Sequence, residues 1–282
     1  MEALKAGKHV LLEKPSTSNA IDARKLFLEN AYLNPSMEID GSGTVPPVLL
    51  EAVHNRFHPA FQKFLSLLDK PNIDQVRTTH HFPRGYFAAD NIRFDYDLAG
   101  GKGDQRIDEA FSAKWRFPNG GVGSIEADLV ATSGFWLTSW MPAIRSPMCE
   151  VTHREVTVPE TALEGKQHVK TRTVTFWNSS LPSFWHRIDV VDDHVIRNVP
   201  DGKVEKKWSE REYVKAYQGD VGDASWTSYR HQLEQFVNKV RGRESAGVWI
   251  DGDDSVRQME MIDSAYRKAG LPVRPGSTYE GS

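Results

Sequence analysis

Residues 3–15 read A-L-K-A-G-K-H-V-L-L-E-K-P. Ala3, Leu4 and Ala6 are the end of a helix, closed by Gly7, the residue type that tolerates the left-handed position after a helix. His9-Val10-Leu11-Leu12 follows as a short apolar strand, and then Glu13-Lys14-Pro15. Pro15 drives Lys14 toward extended backbone and ends the strand, because it has no N–H to give a ladder. A lysine at the carboxyl end of a buried parallel strand stands where open α/β sheets bind their ligands. The stretch therefore predicts an α/β fold and a place for chemistry.

Composition sets the bounds. The chain has 282 residues, 39% hydrophobic and 26% charged, which describes a globular protein of one or two domains. Its 35 Lys and Arg against 38 Asp and Glu give a net charge of −3, which argues against a general nucleic-acid binder or an anionic-membrane binder. The single Cys149 permits neither an internal disulfide nor a cysteine-based zinc site. No apolar run reaches membrane-spanning length, and the N-terminus has no signal-peptide core. A reducing, cytoplasmic location is the economical expectation.

Beyond Pro15, Ser16, Thr17 and Ser18 are good cap residues, and 20–31 reads as an amphipathic helix carrying Ile21, Leu26, Phe27 and Leu28. Residues 32–47, rich in Pro, Gly and Ser, read as loop. Val48 to Val53 is a second strand of the same kind as the first. His54-Asn55-Arg56-Phe57-His58-Pro59 leads out of it, with Pro59 suited to the first turn of a helix through Phe61, Phe64, Leu65 and Leu68. A strand is read over 75–82. Phe111, Ala113, Trp115 and Phe117 alternate on another, and Pro118-Asn119-Gly120-Gly121 turns it into a hairpin with 122–130. Further strands are expected near 148–158, 168–177 and 186–197, with a turn at Pro200-Asp201-Gly202. Trp136, Trp140, Trp177 and Trp185 are read as sheet packing.

Tyr229, Leu233, Phe236, Val237 and Val240 mark a helix that starts near 223–225 and stops at Gly242. Asp251-Gly252-Asp253-Asp254 resembles a calcium loop only on the surface, since the twelfth position is Ile262 rather than Glu. It reads as a cap and acidic first turn of a last helix through Val256, Met259, Ile262 and Tyr266. His54 and His58 have i, i+4 spacing, but Pro59 keeps them out of one helix. His80 and His81 point to opposite faces of a strand. No metal site is expected.

The stretch A-G-K-H-V-L-L-E-K-P resembles a signature of the glucose-fructose oxidoreductase / inositol dehydrogenase / MocA family of NAD(P)-dependent oxidoreductases. In particular it is similar to that of the dimeric dihydrodiol dehydrogenases and the fungal NADP-dependent D-xylose dehydrogenases. L-E-A-V-H-N-R-F-H-P-A at 50–60, S-Y-R-H-Q-L-E-Q-F at 228–236 and I-D-S-A-Y-R-K-A-G-L-P-V-R at 262–274 follow in the family's order. The resemblance implies a substrate that is a sugar or a cyclic trans-diol, and NADP or NAD as cofactor. It implies Lys14 as a catalytic residue, stabilising developing alkoxide, and Glu13, Lys14, Pro15 and Arg56 at the cofactor. His54 falls where these relatives carry a substrate-facing aromatic, and it is the nearby candidate for acid/base work. Arg56 reads equally as one half of a buried interdomain ion pair.

Two family features are absent. No G-x-G-x-x-G turn precedes Ala3, so the chain is expected to open at the last part of a dinucleotide-binding domain. After Gly100-Gly101 no Asp-x-Gly-x-His/Tyr follows; Asp104 stands one place early. These absences keep a second reading open, a non-catalytic binding or regulatory member, or an inactive truncated product. The expected architecture is a remnant of a doubly wound parallel, Rossmann-like sheet over 1–53. An α+β domain with an open, mainly antiparallel sheet follows over 54–282, its C-terminal helix packing back on the first domain. An open face rich in aromatics would suit a homodimer.

Overall fold

The computed structural model describes residues 1–33, 46–91, 94, 109–132, 141, 146–159, 165–216, 223, 225–244 and 248–277. The chain divides into two compact units. The first comprises Met1–His58, Asp90–Asp108 and Trp226–Ser282; the second comprises Pro59–Ala89 and Glu109–Ser225.

In the first unit, a short helix α1 (Glu2–Lys5) ends before Gly7, whose φ of 66° is the left-handed conformation that stops it. Strand β1 (Val10–Glu13) pairs in parallel with β2 (Leu49–Ala52), Val10 opposite Leu49 and Glu13 opposite Ala52. β2 is buried from Leu50 to Ala52, whereas β1 is only half-buried, with Leu11 37% exposed. Among the described residues β1 pairs with β2 alone, which leaves its other edge open.

Helix α2 (Ala20–Phe27) is capped by Asn19, whose side chain accepts from the Asp22 N–H at 2.9 Å. It is four residues shorter than its apolar pattern over 20–31. Its inner face, Ala20, Ala23 and Phe27, packs on Val256 and Met259 of α5 (Gly252–Lys268). Each large side chain buried there contributes about 1.5–3 kcal/mol. The buried Asp263 of α5 accepts from the Ala20 N–H at 3.0 Å, so a carboxylate closes the α2 N-terminus, where helix charge favours an anion. α4 (Ser228–Val240) is capped by Thr227, later than the 223–225 start expected. Leu50, Phe57 and Ile250 form a second small core with Phe236 and Trp249 around them.

The described residues of the second unit form a sheet with a helix packed on it. Its strands are β3 (Ile73–Pro83), β4 (Ala110–Arg116), β5 (Val122–Ala131), β6 (Met148–His153), β7 (Val156–Thr157), β8 (Lys166–Trp177), β9 (Arg187–Asn198) and β10 (Val204–Val214). The order is β10-β9-β8-β6-β3-β5-β4, with β7 against β8; β3 and β5 are parallel and every other pair is antiparallel. Across one face the register aligns Ile125, Thr78, Cys149, Phe176 and Ile188. Helix α3 (Pro59–Ser66) packs on that face through Phe64, whose ring lies 5.5 Å from that of Phe176. Burial raises the Cys149 thiol above its ordinary pKa.

The opposite face aligns Ser124, Arg77, Glu150, Thr175 and Asp189, so polar and charged groups occupy its centre. Trp177 reaches this face and donates to Asp189 at 3.1 Å, and Trp185 is half exposed. Trp136 and Trp140 lie outside the described residues, as does the Gly100-Gly101 segment. Strand β10, absent from the sequence reading, is a sheet edge carrying Glu205, Lys206, Lys207, Glu210, Arg211 and Glu212.

Candidate active site

The parallel pairing of β1 and β2 brings two candidate segments to one end of the same ladder. Glu13 lies opposite Ala52 in the last register position. Lys14-Pro15 leaves β1 there through a cis peptide bond. Two residues beyond Ala52, β2 gives way to a 3₁₀ turn, His54–Phe57. The carboxyl end of a parallel ladder is where open α/β sheets present their ligand-binding residues.

His54 is held on two sides at this end. Its Nδ1 meets the Ser228 Oγ at 2.7 Å, and its ring stacks on Tyr229 with centroids 3.9 Å apart and 21° between planes. Ser228 and Tyr229 open α4; Ser228 is buried and Tyr229 is 57% exposed. Burial, and then the positive charge of Lys14, hold the imidazole below the ordinary histidine pKa; Glu13 and the Asn55 side chain pull more weakly the other way. Lys14 itself is exposed, and its backbone N–H lies 3.3 Å from the Glu13 carboxylate. Burial and the Lys14 charge thus both disfavour the protonated imidazole.

Arg56 forms an ion pair: its Nη2 donates to Asp254 Oδ2 at 2.8 Å, with the two side chains 26% and 35% exposed. Asp254 stands in the acidic first turn of α5, next to the Asp251 cap. Pro15 is followed by Ser16, whose N–H and hydroxyl both donate to the buried Glu51, at 3.1 and 2.9 Å. Glu51 also accepts from the Ser255 hydroxyl at 2.6 Å. His58 parts from His54: it is fully buried, its ring 5.5 Å from His231.

Glu51, Ser228 and Tyr229 are the residues that sequence reasoning left without a role here. The motif S-Y-R-H at 228–231 was a signal for the last two. Nothing in the run Val48–Val53 distinguishes Glu51 from any charge on a strand.

No glycine-rich turn for a pyrophosphate stands among the described residues.

No family model matches the sequence. A curated relative, the D-xylose 1-dehydrogenase (NADP(+)) 2 of Haloferax volcanii, is 27% identical over 270 residues, covering 93% of this chain and 71% of that protein. Among solved structures, levoglucosan dehydrogenase in complex with NADH and levoglucosan superposes with a TM-score of 0.56 at 15% identity, over 95% of this chain and 72% of that one. The UDP-N-acetylglucosamine 3-dehydrogenase GnnA from Acidithiobacillus ferrooxidans gives 0.54 at 15% identity, over 94% and 71%. The fold is therefore that of the Rossmann-like sugar dehydrogenases, and the chain resembles the glucose-fructose oxidoreductase / inositol dehydrogenase / MocA type that its motifs point to.

Proposed function

We propose that the chain is an NAD(P)-dependent oxidoreductase acting on a secondary hydroxyl of a sugar or a cyclic trans-diol. The observation that carries this reading is the joint position of Lys14 and His54 at the carboxyl ends of a parallel strand pair, with the Lys14 charge felt at the imidazole. The likeness to a D-xylose dehydrogenase supports the substrate class and the cofactor.

Lys14 donates a hydrogen bond to the reacting hydroxyl oxygen, and its charge stabilises the alkoxide character that develops there. His54, kept neutral by burial and by Lys14, accepts the hydroxyl proton at the ring nitrogen that Ser228 does not engage. Tyr229 excludes water from one face of the imidazole. Glu13, Lys14 and Pro15 hold the nicotinamide end of the cofactor, and Arg56, anchored by Asp254, stiffens the turn that presents His54. A bound nicotinamide would supply or take the hydride. In the reverse direction His54 returns the proton to the oxygen.

A cytoplasmic homodimer belongs to the same reading. Phe184, 83% exposed, and Trp185 beside it give a second copy an apolar surface to cover, and sedimentation velocity tests this.

Titration of the purified chain with NADPH and NADH, followed by tryptophan quenching, tests the function, with turnover of D-xylose and of trans-dihydrodiols measured alongside. Saturable micromolar binding with turnover is expected. No binding up to millimolar cofactor would sink the reading and leave a non-catalytic protein of this fold.

A further inference from the structure

Glu51 is a carboxylate inside a buried strand, only 3% exposed. Burying such a group is costly unless its oxygens are hydrogen-bonded. Both are: Oε1 takes the Ser16 N–H and hydroxyl, and Oε2 takes the Ser255 hydroxyl. The Ser16 bonds fall two residues after Lys14, on the far side of Pro15. Ser255 belongs to the first turn of α5, where its neighbour Asp254 holds Arg56. One helix turn thereby anchors the turn that carries His54 directly, and the loop that carries Lys14 through Glu51.

We propose, resting on the oxidoreductase reading above, that Glu51 is a positioning residue: its carboxylate fixes Ser16 and so sets where the Lys14 ammonium stands relative to His54. It meets neither substrate nor cofactor. An apolar residue at 51 would fill the strand equally well but would release Ser16, leaving the exposed Lys14 on a loop without its buried anchor. Lost precision of this kind, of the order of 1 Å, lowers turnover by about 100-fold in a site that depends on geometry.

The test reads the Lys14–His54 relationship without needing turnover. The His54 Cε1–H resonance of the full chain is titrated by NMR. Lys14→Ala raises its midpoint by removing a positive neighbour. Glu51→Ala is expected to raise it in the same direction and at least half as far, with no further rise when combined with Lys14→Ala. Direct loss of a negative charge would lower the midpoint, so the sign separates positioning from simple electrostatics. Glu51→Gln, which keeps an acceptor for Ser16, restores most of the native value. An unchanged or lowered midpoint in folded Glu51→Ala overturns the proposal. If that variant fails to fold, Ser16→Ala decides: a smaller rise supports the proposal, and no rise overturns it. Where turnover is present, kcat falls while KM holds. A midpoint shift without turnover in the native protein would defeat the oxidoreductase reading and leave the positioning role standing; the converse pattern would do the reverse.

Discussion

His54 lies face to face with Tyr229, their ring centroids 3.9 Å apart, while its Nδ1 is held by Ser228 at 2.7 Å. Two consecutive residues of one helix therefore hold both the plane and one nitrogen of the imidazole. Removing the ring by Tyr229→Ala admits water, relieves the burial that disfavours the charged form, and raises the His54 midpoint. Tyr229→Phe keeps the stack and is expected to leave the midpoint near native. NMR titration of both variants checks this; equal shifts in the two would assign the effect to the phenol hydroxyl instead.

Lys14→Ala is expected to lower kcat/KM by about 10²–10³-fold, the usual cost of removing one group that stabilises a developing oxyanion. Lys14 is exposed, so the unfolding free energy in urea should stay within about 0.5 kcal/mol of native. Steady-state kinetics beside urea denaturation separate the two effects. A variant that unfolds easily would argue for a structural lysine.

His231 titrates against stability. Burial lowers its pKa below 6.5, so the folded state holds it neutral. At pH 8 folded and unfolded states are both neutral and no penalty arises. As pH falls through 6.5 the unfolded chain takes up a proton that the folded chain refuses, and stability declines until the lower folded pKa is passed. Urea midpoints measured from pH 8 to pH 5 are expected to fall, and to fall less in His231→Phe. Equal slopes in the two proteins would refute the assignment.

The β4–β5 turn contains a position with no room for a side chain. A Cβ on Gly121 would meet the Ile73 carbonyl oxygen at 2.8 Å and that of Asp74 at 3.1 Å, both backbone atoms that cannot rotate away. Gly121→Ala is expected to cost about 1–3 kcal/mol by overpacking. At Gly120, with φ +84°, the nearest atom is the end of the Arg154 side chain at 3.4 Å, so Gly120→Ala suffers from backbone strain rather than crowding. Thermal melts of both, with Gly120→Asn as the substitution that tolerates positive φ, distinguish the two causes.

Local signals made most of the elements legible. Gly7, the apolar run ending at Lys14, the Pro118–Gly121 turn and the Asp251 cap each announce their structure within a few residues. β10 did not, because an exposed edge replaces apolar alternation with Lys and Glu, the charges that discourage edge pairing. Helix α2 stops at Phe27 although Leu28 prolongs its apolar pattern, so periodicity overran the structure. The parallel pairing of β3 with β5 is long-range and leaves no trace in either strand. At the site, Lys14, His54 and Arg56 stand in quotable motifs. Glu51 lies in the 50–60 motif too, but its role does not show there, because it depends on Ser16 and Ser255, 35 and 204 residues away.

That last separation bears on how the protein is made. Ser255 leaves the ribosome long after Glu51 and Ser16, and until α5 is synthesised β2 carries a carboxylate without its Ser255 partner and the turn after it an Arg56 without Asp254. The second unit, built from residues between, can gather its own core first. The first unit must wait for α5, so its native arrangement depends on long-range contacts that form slowly. A premature stop before Asp251 would spare the large sheet and erase the candidate active site.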